Sequence, residues 1–107
     1  NASFYNSNLP GVITPTELSN NWMIYNQYTI RTNKRDALIN HLNQVNIGNA
    51  IYYPLPLHLQ KCFEYLGYKE GDLPESEKAA KEVLSLPIYS ELNQNQLNYI
   101  VENINAF

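Results

Sequence analysis

Apolar positions along this chain alternate in some stretches and recur every three to four residues in others, the signatures of strand and helix respectively. In WMIYNQYTIRT (22–32), Trp22, Ile24, Tyr28 and Ile30 share one face and Tyr25, Gln27, Thr29 and Arg31 the other. That pattern predicts a strand with one apolar side, interrupted only by Asn26. NKRDALINHLNQVN (33–46) then switches to helical spacing. Asn33 is a good N-cap, Asp36 falls where the helix dipole favours negative charge, and Leu38, Leu42 and Val45 form one stripe. Asn46 is placed as the left-handed residue that ends the helix. IGNAIYY (47–53) predicts a second strand, halted at once by Pro54 and Pro56, which cannot donate to a sheet ladder.

Beyond the stop, Leu57, Leu59, Phe63 and Leu66 suit a short helix closed by Gly67. DLPESEKAAKEVLSL (72–86) carries the strongest helix start, with Asp72 and Glu75 as an acidic capping box and Pro74 in the first turn. Ala79, Ala80, Val83 and Leu84 are its packing face, and Glu77 pairs with Lys81 one turn on. SLPIY (85–89) is extended, and a last helix runs from residue 93 with the stripe Leu97, Ile100, Val101 and Ile104. Residues 3–20 read as a mostly irregular lead-in rich in turn formers, with a frayed helical start, and Asn1 and Ala2 are set aside as the remnant of a cleaved tag. The order predicts an α+β domain, a small antiparallel or mixed sheet covered by helices.

Composition narrows the function. With 107 residues the chain holds one modest core. A net charge of −3 and no basic run give no positive field for phosphates, so nucleic acid is excluded as a partner. No apolar run approaches the roughly 20 residues needed to span a bilayer, so no membrane partner is expected. Cys62 is the sole cysteine, which rules out an intrachain disulfide and suits a reducing, cytoplasmic setting.

The chemistry-bearing residues are sparse. His41 and His58 are isolated and form no metal-ligand spacing with each other or with carboxylates. His41 lies beside a helical stripe and reads as structural. Cys62 and His58 stand four apart, but a cysteine beside Phe63 reads as inert packing. The five lysines show no buried or cation-flanked setting of the kind that activates an amine. There remains AIYYPLPLHLQ (50–60), where two prolines stiffen the backbone that carries Tyr53, His58 and Gln60. From the residues alone this is either a ligand-presenting corner or a structural one.

Four stretches in register alter that balance: YNQYTIR (25–31), RDAL (35–38), IYYPLPLHLQ (51–60) and LGYKEGDLPESEKAAKEVLSLPIY (66–89). Together they closely resemble the C-terminal domain of the DegT/DnrJ/EryC1/StrS family of pyridoxal-phosphate-dependent sugar aminotransferases, a likeness covering about residues 5–107. The resemblance implies residues 1–20 as lead-in or linker and 21–107 as the small domain of the aspartate-aminotransferase type of fold. It implies a large domain, absent here, that carries the Schiff-base lysine and most cofactor contacts, and a homodimer. This chain is then expected to hold no pyridoxal phosphate and no catalytic residue of its own. Its part is to wall a cleft for a nucleotide-linked keto-sugar and an amino-acid donor. His58 matches the family histidine at the mouth of that cleft, with Tyr53, Asn26 and Arg31 as further substrate-binding positions. Met23 stands where a histidine is frequent, and Asn46 where glycine is usual. The rival reading is a stand-alone, non-catalytic sugar-binding or protein-interaction module of the same fold.

Overall fold

In a computed structural model describing residues 1–107, helix α1 (Ala2–Asn8) is followed by strand β1 (Tyr28–Arg31) and helix α2 (Arg35–Gln44). Two 3-10 turns (Leu57–Leu59 and Lys61–Leu66), helix α3 (Pro74–Glu82), strand β2 (Val83–Leu86) and helix α4 (Gln94–Asn105) complete the order. The α+β architecture is as expected, and the sheet is antiparallel. Tyr28 pairs with Leu86, Thr29 with Ser85, Ile30 with Leu84 and Arg31 with Val83. Single bridges extend the sheet on both edges, Ile13 to Arg31 beside β1 and Ala50 to Ser85 beside β2.

The sheet's inner face and three helices close one core. Tyr28 and Ile30 of β1 and Leu84 and Leu86 of β2 meet Leu38 and Leu42 of α2 and Leu97, Ile100, Val101 and Ile104 of α4. The α4 stripe read from helical spacing is buried in full. Asn93 caps this helix by accepting from the Gln96 amide, while the Gln96 side chain accepts from the Asn93 amide, a reciprocal arrangement that satisfies two otherwise orphaned donors.

The helical start of the lead-in is α1, whose Tyr5 is fully buried and packs its ring 4.9 Å from that of Tyr28. Several expectations are corrected. Ala2 is buried as well, and Asn1 Nδ2 donates to the Tyr89 carbonyl, so these two residues are part of the fold. The first strand is only four residues long: Tyr25 has φ 52°, which breaks the ladder, and Trp22 (90% exposed) and Ile24 (75%) lie outside the core. The second predicted strand is reduced to the Ala50 bridge, because the prolines and bends beyond it leave no room for a ladder. Asn33 does not cap α2, whose preceding residue is Lys34 without a side-chain cap bond. Asn46 does take the left-handed conformation, at φ 58°.

The molecule is extended for its length. Its radius of gyration is 15.5 Å, against about 13 Å for a compact domain of this size. No helix is long and apolar enough to cross a membrane.

Burial of two phenols sets an alkaline limit on stability. Tyr5 donates to the Pro87 carbonyl and Tyr28 to Asn6 Oδ1. Burial first, and then neighbouring tyrosines, push both hydroxyls up to about 12 from 10.0. A raised folded-state value stabilises the fold fully below pH 10 and loses that contribution as pH rises towards 12. Urea midpoints measured across this window should fall, and Tyr5→Phe with Tyr28→Phe should flatten the decline while lowering the midpoint at neutral pH.

Candidate functional site

The corner at 54–60 begins as the sequence implies and then turns inward. Pro56 is extended (φ −60°, ψ 148°) and Leu57–Leu59 make one 3-10 turn, a change of direction that carries His58 beneath the surface. Leu55 and Leu57 just before it remain exposed, while the His58 side chain keeps only 5% of its accessibility. The histidine expected at the mouth of a cleft is thus largely buried within this chain. Successive side chains of a 3-10 turn stand about 120° apart, and here His58 turns inward while Leu57 is exposed and Leu59 half-buried.

His58 is met by Glu77 of α3, with Nε2 3.2 Å from Oε2. The same carboxylate accepts the Gly71 amide (2.8 Å to Oε1, 3.1 Å to Oε2) and the Leu73 amide (3.2 Å to Oε2). Gly71 reaches it through a positive φ of 95°, which a side chain at that position would strain. The Gly71 amide foremost, then the Leu73 amide and His58, hold the Glu77 carboxyl below its ordinary value of 4.5 against the opposing effect of burial. An ionised carboxylate only accepts, so the shared hydrogen sits on His58 Nε2.

This arrangement displaces two sequence readings. Asp72 and Glu75 do not form a capping box; Asp72 accepts from the Lys69 amide, and the contact reaching back to the residue before α3 is made by Glu77. Nor does Glu77 face Lys81 in solvent. Its inward placement was legible in part: Glu77 and Ala80 are three apart on α3 and both are buried, whereas Leu84, read as the same helical face, lies in β2.

Around His58 lies a mostly apolar cavity of about 370 Å³ lined by Leu57, Phe63, Leu66, Tyr68, Leu73 and Ser76. The Tyr68 ring stands edge-on, 6.1 Å from the imidazole. The other expected site residues are not gathered here. Tyr53 is 70% exposed and stacks edge-on with Tyr52. Asn26 lines a separate cavity of about 320 Å³ with Gly48, Ala50, Tyr52 and Ser85. Arg31 gives both Nε and Nη2 to Glu82 Oε2 at 3.2 and 3.0 Å, so its guanidinium is committed within the chain.

The remaining candidates behave as structure. His41 Nε2 donates to the Asn103 carbonyl at 2.9 Å and its ring packs on Phe107. Cys62 is exposed and its only polar contact is with Gln60, so it makes no pair with His58. No three His, Cys, Asp or Glu side chains converge on a possible metal. All five lysines are exposed, whereas an imine-forming amine is activated by burial or neighbouring cations. The residues of this chain therefore do not fit a covalent pyridoxal-phosphate site.

Comparison with known proteins places these features in a family context. The model of the DegT/DnrJ/EryC1/StrS aminotransferase family matches residues 1–105. A "pleiotropic regulatory protein" of Geobacillus stearothermophilus is 54% identical over 96 residues, covering 90% of this chain and 26% of that protein. The dTDP-3-amino-3,4,6-trideoxy-α-D-glucose transaminase of Streptomyces venezuelae is 33% identical, covering 90% of this chain and 25% of the relative. The crystal structure of S. venezuelae DesV in complex with a ketimine intermediate superimposes with a TM-score of 0.92 at 32% identity, over 98% of this chain and 29% of that one. This chain spans about a quarter of the length of these relatives.

Because its folded value is depressed, the Glu77 carboxyl stabilises the corner above pH 4.5 and loses that effect as pH falls through the lowered value. Hydrogen exchange at the Gly71 and Leu73 amides should accelerate in that acid range and in Glu77→Ala at neutral pH. The β1–β2 amides should keep their protection throughout.

Proposed function

We propose that this chain, which belongs to the DegT/DnrJ/EryC1/StrS aminotransferase family, is the small domain of a sugar aminotransferase and walls one side of its substrate cleft. The family match across residues 1–105 carries this reading. The whole protein moves an amino group from glutamate to the carbonyl carbon of a nucleotide-linked keto-sugar, and glutamate leaves as 2-oxoglutarate. Pyridoxal phosphate, the cofactor of this family, supplies the amino-group carrier. It and its lysine belong to a large domain beyond the quarter of the relatives that this chain spans, in a homodimer. A cytoplasmic setting agrees with the lone free thiol at Cys62.

What this chain brings is shape and position. Trp22, Ile24, Tyr53, Leu55, Leu57 and Leu66 are exposed, and so much unpartnered apolar surface agrees with a neighbouring domain that covers it. Tyr53 and His58 lie on the stiffened corner and face the substrate from it, Tyr53 from the surface and His58 from beneath. Asn26 is the third substrate contact. Arg31 serves the site indirectly, by tying β1 to the end of α3 through Glu82. Rigid placement matters because a misplacement of about 1 Å can cost on the order of 100-fold in rate.

A second reading, a non-catalytic module for protein contacts, draws on the regulatory name of the Geobacillus relative. Assay of the full-length protein with glutamate and dTDP- or UDP-linked 3-keto-sugars distinguishes them. Release of 2-oxoglutarate, lowered about 10-fold or more in kcat/KM by Tyr53→Ala without loss of melting temperature, is the expected outcome. No release with any of these sugars, from protein loaded with cofactor, would favour the module.

A further inference from the structure

We propose that Glu77 is a positioning residue of the aminotransferase site: it holds His58 as the Nε2–H tautomer, leaving Nδ1 as an acceptor for a hydroxyl or amine hydrogen of the sugar substrate. This rests on the aminotransferase reading above and assigns a second residue to it.

The geometry divides the imidazole into two ends with different duties. Nε2 is bound to Glu77 Oε2, and that carboxylate is filled by two backbone amides besides. It has no proton to give, so Nε2 must be the donor. In the neutral ring Nδ1 then carries the lone pair. Nδ1 has no hydrogen-bond partner in the chain, yet no fully buried polar side-chain atom lacks one. Nδ1 thus keeps some accessibility on a side chain that is largely enclosed. The ring borders a cavity with Leu57, Phe63, Leu66, Tyr68, Leu73 and Ser76, the space from which a substrate group would approach Nδ1. In a cavity whose other polar side-chain groups are the Tyr68 and Ser76 hydroxyls, neither of which bonds the ring, an unpaired Nδ1 is free to accept from a group brought in from outside.

Glu77 is fixed more firmly than the imidazole it holds. It sits on α3, one turn from buried Ala80, and its two amide contacts come from a loop that Gly71 alone allows to approach. Were the carboxylate lost, the ring could rotate, exchange tautomers, or follow the exposed Leu57 outward. Each of these changes removes a defined acceptor while leaving the core of α2, α4 and the sheet untouched.

The test uses the full-length, cofactor-loaded protein labelled with 15N. Long-range proton–nitrogen spectra should show His58 protonated at Nε2 in the wild type and exchanging between nitrogens in Glu77→Gln. With dTDP-3-amino-3,4,6-trideoxy-α-D-glucose and a UDP-linked 3-amino sugar as probes and 2-oxoglutarate as acceptor, glutamate formation reads the reaction. Glu77→Gln should lose about 10- to 100-fold in kcat/KM, the scale of contacts that orient a functional imidazole. His58→Gln, whose amide can still donate to Glu77 but offers nothing at the Nδ1 position, should lose as much. The double variant should be no worse than the poorer single one, because both act through one atom. A His58 protonated at Nδ1 in the active wild type, unchanged kinetics in Glu77→Gln, or losses that multiply would each overturn the proposal. An Nε2–H histidine in a protein that forms no glutamate from either probe would overturn the aminotransferase reading and the substrate half of this one, while leaving the hold of Glu77 on His58 standing.

Discussion

Between Ile47 and Glu77 the chain buries one side chain, His58, and the Glu77 carboxylate holds it. A long excursion with one anchor needs that anchor to be stiff. Pro54 and Pro56 remove backbone freedom from the unfolded chain before the histidine is reached. Gly71 and Leu73 then donate to the same carboxylate from the far end of the excursion. Three segments of chain, the corner, the loop before α3 and α3 itself, thus meet at two oxygen atoms. Removing one partner of a buried hydrogen bond leaves the other unsatisfied, so the corner depends on all of them together.

The rest of the fold depends on a more ordinary device. Tyr5 and Tyr28 stack at the centre of the core and send their hydroxyls out to Pro87 and Asn6. A phenol lets a thin core gain aromatic area without leaving a polar atom unpaired. The consequence is that α1, far from β2 in sequence, is pinned to it through the Pro87 carbonyl. The outlying segments have no such tie. Trp22 and Ile24 on one side and Tyr53 through Leu66 on the other stand away from this core, which accounts for a radius of gyration above that of a compact domain of equal length.

How much of this was legible in the sequence follows from which interactions are local. The α4 stripe, the left-handed Asn46 and the Gly67 stop (φ 82°) were readable because periodicity and backbone preference decide them. The apolar face of 22–32 misled because alternation reports what a strand could bury, and nothing within this chain covers Trp22 and Ile24. Glu77 was misread for the opposite reason. Its helical spacing with Ala80 pointed inward, but a charge with a lysine four residues on looks like a surface pair until Gly71 and His58 are brought to it by tertiary contacts. For the candidate site, the corner and its histidine were legible from the two prolines. The burial of that histidine was not, because nothing in PLHLQ says which of three neighbouring side chains the 3-10 turn will point inward.

Burial does not by itself retire His58 from function. A surface histidine is hydrated at both nitrogens and free to exchange tautomers, so it offers a partner no fixed hydrogen-bonding sense. An imidazole with Nε2 committed to a carboxylate and Nδ1 unpaired has lost that freedom already, and a ligand meeting it has no ordering left to impose. The same enclosure excludes water from the bond that forms, which strengthens it. Exposed Tyr53, by contrast, is held by little more than its edge-on contact with Tyr52, so any precision it contributes has to come from the surface that covers it. On one short corner, then, the buried residue is the one that this chain can orient unaided, and the exposed residue is the one that needs a neighbour.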